Sequence, residues 1–138
     1  MDARLLVVDD HEMLRQGLRY AFGSTGIQIV EAANGQSALR ILFNQRVDIV
    51  LLDIDLPELN GLEVLSRIKQ QSPDLPVLMH SCHNRRAYMQ RSFQLGAAGY
   101  LVKSPNATPV IEAVRIALAG GNVWTEAQLR HASDRGAT

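Results

Sequence analysis

Five short apolar runs punctuate the chain, at residues 5–8, 27–30, 47–52, 77–79 and 100–102. Each is rich in leucine or β-branched residues and each leads into a polar turn. Between them the apolar positions recur at helical spacing. Leu14, Leu18, Ala21 and Phe22 form one stripe, and Ala38, Leu39, Leu42 and Phe43 a second. Leu62, Leu65 and Ile68 form a third, and Val110, Ile111, Val114, Ala117 and Leu118 a fourth. The stretch 85–95 is more polar and weakly periodic, so it gives the faintest helix of the five. Strands alternating with helices predict an α/β domain: a single doubly wound, five-stranded parallel sheet with five flanking helices. The expected strand order is 2-1-3-4-5, one of the two common orders for such sheets. Residues 49–52 are continuously apolar, as a strand covered on both faces should be.

Glycines at 26, 35, 61, 96 and 99 fall at the expected turns, and Gly120-Gly121 stops the last long helix. The first 120 residues therefore read as one domain. Residues 121–138 differ: Thr125 and Gln128 have the spacing of a capping box for a short helix over 125–131. Residues 132–138 are small and polar, as in a linker or a frayed end.

Composition narrows the class. The chain has 138 residues, 46% apolar and 20% charged, enough for one well-filled core. Basic and acidic residues number 14 each, so no basic field is available to displace counterions, and direct nucleic-acid binding by this segment is not expected. Cys82 is the single cysteine, which rules out an internal disulfide and suits a reducing compartment. No run is long enough for a signal peptide or membrane span, so the expected location is cytoplasmic.

In an open parallel sheet, ligands gather beyond the carboxyl ends of the strands, where strand order reverses. Asp9 and Asp10 end strand one, Asp53 ends strand three, Ser81 ends strand four and Lys103 ends strand five. The expected order converges all of them on one cleft. Two carboxylates about 4 Å apart repel by roughly 4 kcal/mol at an effective dielectric near 20. Such a cluster calls for a cation, and an all-oxygen donor set suits Mg²⁺. Asp53 then has the chemistry of a carboxylate nucleophile toward phosphorus, with Lys103 and Ser81 as donors to the transferred group.

These residues resemble the receiver domains of bacterial two-component response regulators. Leu5-Leu6-Val7-Val8-Asp9-Asp10-His11 is similar to their first strand and acid pair. The run from Asp48 through Asp53-Ile54-Asp55-Leu56-Pro57, then Asn60-Gly61, is similar to the phosphoacceptor strand and its loop. Gly96 through Gly99-Tyr100-Leu101-Val102-Lys103 resembles their fifth strand. Asp10-His11 through Arg15-Gln16-Gly17-Leu18, with Asn122-Val123-Trp124-Thr125, resembles more narrowly the NarL/LuxR-type regulators, in which a DNA-binding domain follows.

The resemblance implies a receiver domain over 1–120, with 121–138 leading toward an output domain absent from this chain. It implies phosphorylation of Asp53 by a histidine kinase, with transfer catalysed by the receiver itself, so the domain is not a turnover enzyme in the ordinary sense. Mg²⁺ would be held by Asp10, Asp53 and the backbone carbonyl of Asp55, with Asp9 acting through water. Lys103 and Ser81 would contact the phosphoryl group, Ser81 and Tyr100 would report the state, and Pro57 and Gly61 would shape the loop after Asp53. His83 and Cys82 are candidates for tuning dephosphorylation, with Cys82 read as a small buried residue. Ala113 and Ile116 lie off the main stripe of the last helix, which suggests a homodimer or output-domain contact.

The sequence departs from the family at Lys103-Ser104-Pro105, because many receivers have proline directly after the lysine. His80 stands where an apolar strand residue is usual and reads as a half-buried histidine; His11 either meets the site rim or starts a helix. Other readings compete. Asp53-Ile54-Asp55 also resembles the nucleophile motif of haloacid-dehalogenase-type phosphatases, although about fifty residues precede it here. A flavodoxin-like module would need a phosphate-cradling loop where Asp9-Asp10-His11-Glu12 stands. A receiver-like interaction domain that is never phosphorylated is the remaining alternative.

Overall fold

A computed structural model describes residues 2–133. The elements run β1 (Arg4–Val8), α1 (Glu12–Phe22), β2 (Gln28–Ala32), α2 (Gly35–Asn44), β3 (Ile49–Asp53), α3 (Gly61–Gln71), β4 (Val77–Ser81), α4 (Arg86–Gln94), β5 (Gly99–Val102), α5 (Thr108–Leu118) and α6 (Glu126–Ser133). All strand pairs are parallel and the order is β2-β1-β3-β4-β5, as expected.

Alternation along the strands divides the core in two. Leu5, Val7, Ile49, Leu51 and Leu78 face Leu18 and Phe22 of α1 and Val110, Ala113, Val114 and Ala117 of α5. Their neighbours Leu6, Val8, Val50, Leu52 and Met79 face Ala38 of α2, Val64, Leu65 and Ile68 of α3, and Met89 of α4. Every residue of β3 and β4 is buried, which accounts for their unbroken apolar pattern up to the polar ends. Ala113 thus belongs to the core rather than to a second apolar face, because it sits within the stripe that α5 turns to the sheet. Ile116 remains half-exposed. Phe43, expected in the stripe of α2, is 83% exposed: the stripe packs on the core through Leu39, Ile41 and Leu42, and the next residue turns to solvent in the last turn of the helix.

α4 is a regular helix despite its faint pattern. It packs against α6 as well as the sheet, so a single apolar face does not describe it. The capping box of α6 forms as expected: Gln128 N donates to Thr125 Oγ1 at 3.1 Å and Thr125 N to Gln128 Oε1 at 3.1 Å. The helix runs two residues past the expected end, and Ala132 is buried rather than part of a polar tail. The rest of that expected tail, 134–138, lies outside the described residues. Trp124 anchors the segment before α6, donating from Nε1 to the Ala97 carbonyl at 2.9 Å and meeting Phe93 edge to face at 5.5 Å. Among the described residues no helix is long and apolar enough to cross a membrane.

Candidate functional site

Asp9 and Asp53 leave the carboxyl ends of the adjacent strands β1 and β3 and are each 1% exposed. The Lys103 ammonium, just past β5, lies 2.9 Å from Asp9 Oδ2 and 3.3 Å from Asp53 Oδ2. The loop carrying it is fixed by Lys103 N donating to the Ser81 carbonyl at 2.7 Å. Among the described residues there is no cis peptide bond, so the Lys103-Ser104-Pro105 departure is accommodated with trans geometry. Serine after the lysine does not prevent the ammonium from reaching both carboxylates.

The remaining carboxylate atoms are held by backbone. Asp55 N donates to Asp53 Oδ1 at 3.1 Å, and His11 N to Asp9 Oδ1 at 2.9 Å. His11 Nδ1 lies 3.0 Å from Asp9 Oδ1 and 3.3 Å from Asp10 Oδ1, so His11 does meet the rim of the site. Arg15 closes the far side: Nη1 donates to the Asp9 carbonyl at 2.6 Å, while its other nitrogens bind Glu12 and Glu31. The sequence pattern alone gives Arg15 no role in the site; its place three residues after Glu12 on the first turns of α1 is the one available signal.

Electrostatics set the two buried aspartates apart. Burial raises the Asp53 carboxyl above the usual carboxylate range, the Asp9 charge adds to this, and Lys103 offsets part of it. Burial also pushes Asp9 upward, but the Lys103 ammonium and the groups of His11 beside it outweigh that and leave it below its ordinary value. One ammonium is therefore shared between two carboxylates, a charge deficit that a further cation would fill. Asp9 Oδ2 and Asp53 Oδ2 are buried and accept no aligned hydrogen bond, because Lys103 approaches them as an ion pair without hydrogen-bond geometry. Ligand atoms of Asp9, Asp10, His11 and Asp53 all lie within 4.8 Å of one another. These carboxylate oxygens fit a hard divalent cation such as Mg²⁺.

The loop after β3 is wound tightly over this cluster. Leu59 N donates to the Pro57 carbonyl at 2.7 Å, making a γ-turn centred on Glu58, which takes φ 67°. Gly61 N donates to the Ile54 carbonyl at 2.8 Å, and a Cβ on Gly61 would collide with the Asp53 carbonyl oxygen. The first turn of α3 thus rests directly on the backbone of Asp53, and Asn60 caps it by accepting from Glu63 N at 3.0 Å. Gly61→Ala is expected to push α3 off this loop and destabilise the fold by about 1–3 kcal/mol, read from urea unfolding. An unchanged midpoint would show that the close approach is not needed.

On the other side of the cleft, Ser81 is fully buried and its Oγ accepts from His83 N at 3.0 Å. Tyr100 is 1% exposed, with its hydroxyl donating to the His83 carbonyl at 2.5 Å. His83 Nε2 lies 3.3 Å from Asp55 Oδ2 across the mouth of the cleft. Cys82 is exposed, contrary to the expectation of a buried thiol, because the chain leaves the sheet at Ser81. His80 is buried more completely than expected, at 4% exposure, since its side chain enters the α1–α5 layer. All the expected site residues thus gather at one end of the sheet.

Residues 5–115 match the family described as the response regulator receiver domain. The chain belongs to that family. Among relatives, the transcriptional activator protein ExaE of Pseudomonas putida is 38% identical over 118 residues, covering 84% of this chain and 55% of that protein. The chain spans about half the length of the curated relatives it matches. A two-component response regulator of the LuxR family from Aurantimonas sp. SI85-9A1 superposes with a TM-score of 0.85 at 30% identity, covering 96% of each chain. The response regulator TrrA from Thermotoga maritima, solved in complex with Mg²⁺-BeF, superposes with a TM-score of 0.77 at 33% identity, covering 84% of this receiver and 98% of that chain. The match to the receiver family does not favour the phosphatase and flavodoxin-like readings.

Proposed function

We propose that this receiver accepts a phosphoryl group on Asp53 from a histidine kinase and thereby controls a transcriptional output domain. The observation that carries this reading is the pairing of two buried carboxylates, Asp9 and Asp53, with a single ammonium, beside the hydroxyl-bearing end of β4. Asp53 supplies the attacking oxygen, and the bond from phosphorus to the donor nitrogen breaks as the new P–O bond forms. Asp10, Asp53 and the Asp55 backbone carbonyl would hold Mg²⁺, with Asp9 acting through water, and the bound ion would supply neutralisation of the charge on the phosphoryl group. Lys103 stabilises the charge carried by the transferred group, and Ser81 donates its hydroxyl proton to it.

His83 Nε2 and Asp55 Oδ2 lie 3.3 Å apart, and Cys82, the residue before His83, is exposed. These three positions are proposed to set how fast water reaches the acyl phosphate. Ser81 and Tyr100 report the state because both bond to His83 at the start of the loop into α4. The half-exposed Ile116 on α5 is proposed as part of a homodimer or output-domain contact.

Incubating the protein with a small phosphodonor and Mg²⁺, followed by phosphate-affinity electrophoresis, tests the reading. Wild type is expected to give one retarded band, lost on chelation and absent from Asp53→Asn. Equal labelling of Asp53→Asn would remove Asp53 from the assignment. A folded wild type that takes no label would favour an interaction domain that is never phosphorylated.

A further inference from the structure

The structure joins the mouth of the acidic site to α6 by a continuous set of contacts. Ser81 Oγ accepts from His83 N, and the His83 carbonyl accepts from the Tyr100 hydroxyl. The carbonyl of the same Tyr100 accepts from Gln128 Nε2 of α6 at 2.9 Å. The His83 ring meets Tyr88 of α4 edge to face at 6.1 Å, and the Arg85 guanidinium lies 5.5 Å over the Tyr88 ring. α4 is itself bound to α6, by Gln90 Nε2 donating to the His131 carbonyl at 2.9 Å and by Arg86 Nη2 with His131 Nδ1 at 2.9 Å. Buried Trp124 and Ala132 seat the segment at its two ends.

The donor inventory gives the direction of coupling. Ser81 Oγ uses a lone pair toward His83 N and its hydroxyl also lies against the Tyr100 hydroxyl, so its proton can turn to an oxygen placed on Asp53 while the bond from His83 N is kept. Tyr100 is already buried with its hydroxyl satisfied. A phosphoryl group can therefore be added without breaking any of these bonds, and it supplies one more bond to the same loop.

We propose that α6 is a latch whose docking on α4 and β5 and the phosphorylation of Asp53 reinforce each other. The latch rests on the reading of Asp53 as phosphoacceptor. Linkage requires reciprocity: if the phosphoryl group tightens the docking of α6, then loosening α6 weakens binding of a phosphoryl mimic by the same factor.

Two readouts on the intact chain test this, with beryllofluoride plus Mg²⁺ as the probe. Fluorine NMR reports whether the mimic is bound and how tightly. Iodide quenching of Trp124, the one tryptophan in the sequence, reports whether the segment is seated. In wild type the mimic is expected to bind and to lower quenching. Gln128→Ala, which cuts the tie to Tyr100, and Ala132→Glu, which forces a charge into the seat, are each expected to weaken mimic binding about fivefold or more. Circular-dichroism melting of both variants reports that the sheet and its five long helices remain folded. A bound mimic with quenching unchanged, or with equal or tighter affinity in both variants, overturns the latch and leaves the phosphoacceptor reading standing. No bound fluorine signal in wild type overturns the phosphoacceptor reading, and the latch with it.

Discussion

Lys103→Met is expected to destabilise the metal-free protein by about 3 kcal/mol or more, because it leaves two buried carboxylates without their shared cation. Asp9 and Asp53 are both buried, and Lys103 Nζ is within 3.3 Å of each. Methionine keeps the length of the stem, so packing changes little and the loss is electrostatic. Part of the cost is recovered by protonating Asp53, whose carboxyl burial and the Asp9 charge already hold above the usual range. Adding Mg²⁺ is therefore expected to restore more stability to the variant than it adds to wild type, since it meets a larger charge deficit. Labelling by a small phosphodonor should fall about 10²–10³-fold, the usual effect of deleting one donor to a developing anion. Urea unfolding with and without Mg²⁺ reads the first two effects. Equal metal-free stability in variant and wild type would mean that Lys103 does not pair with the acid cluster.

His80 gives the second large effect. It stands in register opposite Asp53, and its side chain lines a cavity of about 260 Å³ with Met13, Leu14, Leu18, Pro105 and Val110. Burial, aided by the Lys103 charge and opposed by Asp9, lowers its pKa from 6.5 to about 4. The unfolded chain therefore binds this proton at a pH where the folded protein does not. Stability contributed by neutral His80 is complete above pH 6.5 and is lost as pH falls toward 4. The loss reaches up to about 3 kcal/mol, because lowering a pKa tenfold in proton affinity corresponds to about 1.36 kcal/mol. The raised Asp53 carboxyl acts in the opposite sense, but it is present in both proteins of the comparison. His80→Leu is thus expected to flatten the decline in unfolding free energy between pH 6.5 and 4 relative to wild type. Parallel pH profiles would show that the histidine is protonated at no cost in the fold.

The alternation of apolar runs and stripes carried the order of the first ten elements, because the strands are covered by helices and most of the helices turn one apolar face to the sheet. It also carried Asp9, Asp53, Ser81 and Lys103, since polar groups that directly follow buried strands open onto the cleft at the strand ends. What it did not carry has a common cause. α4 is covered by both the sheet and α6, so no single face is apolar and its period is faint. Cys82 and His80 each differ in exposure from what their neighbours suggest, because β4 ends at Ser81 and burial changes within one residue there. The contacts of Gln128, Arg86 and His131 join residues more than 25 positions apart, and no local pattern marks such pairs. Arg15 bonds a backbone carbonyl, which leaves no mark on the sequence of its partner.

Whether Asp53 is the residue that takes the phosphoryl group can be read at the level of the single side chain. The protein is labelled with a small phosphodonor and Mg²⁺, the acyl phosphate is reduced with borohydride, and the peptides are mapped by mass spectrometry. One modified position is expected, Asp53, with Asp9, Asp10 and Asp55 unchanged. Modification at any of those three instead, or on a histidine, would contradict the assignment.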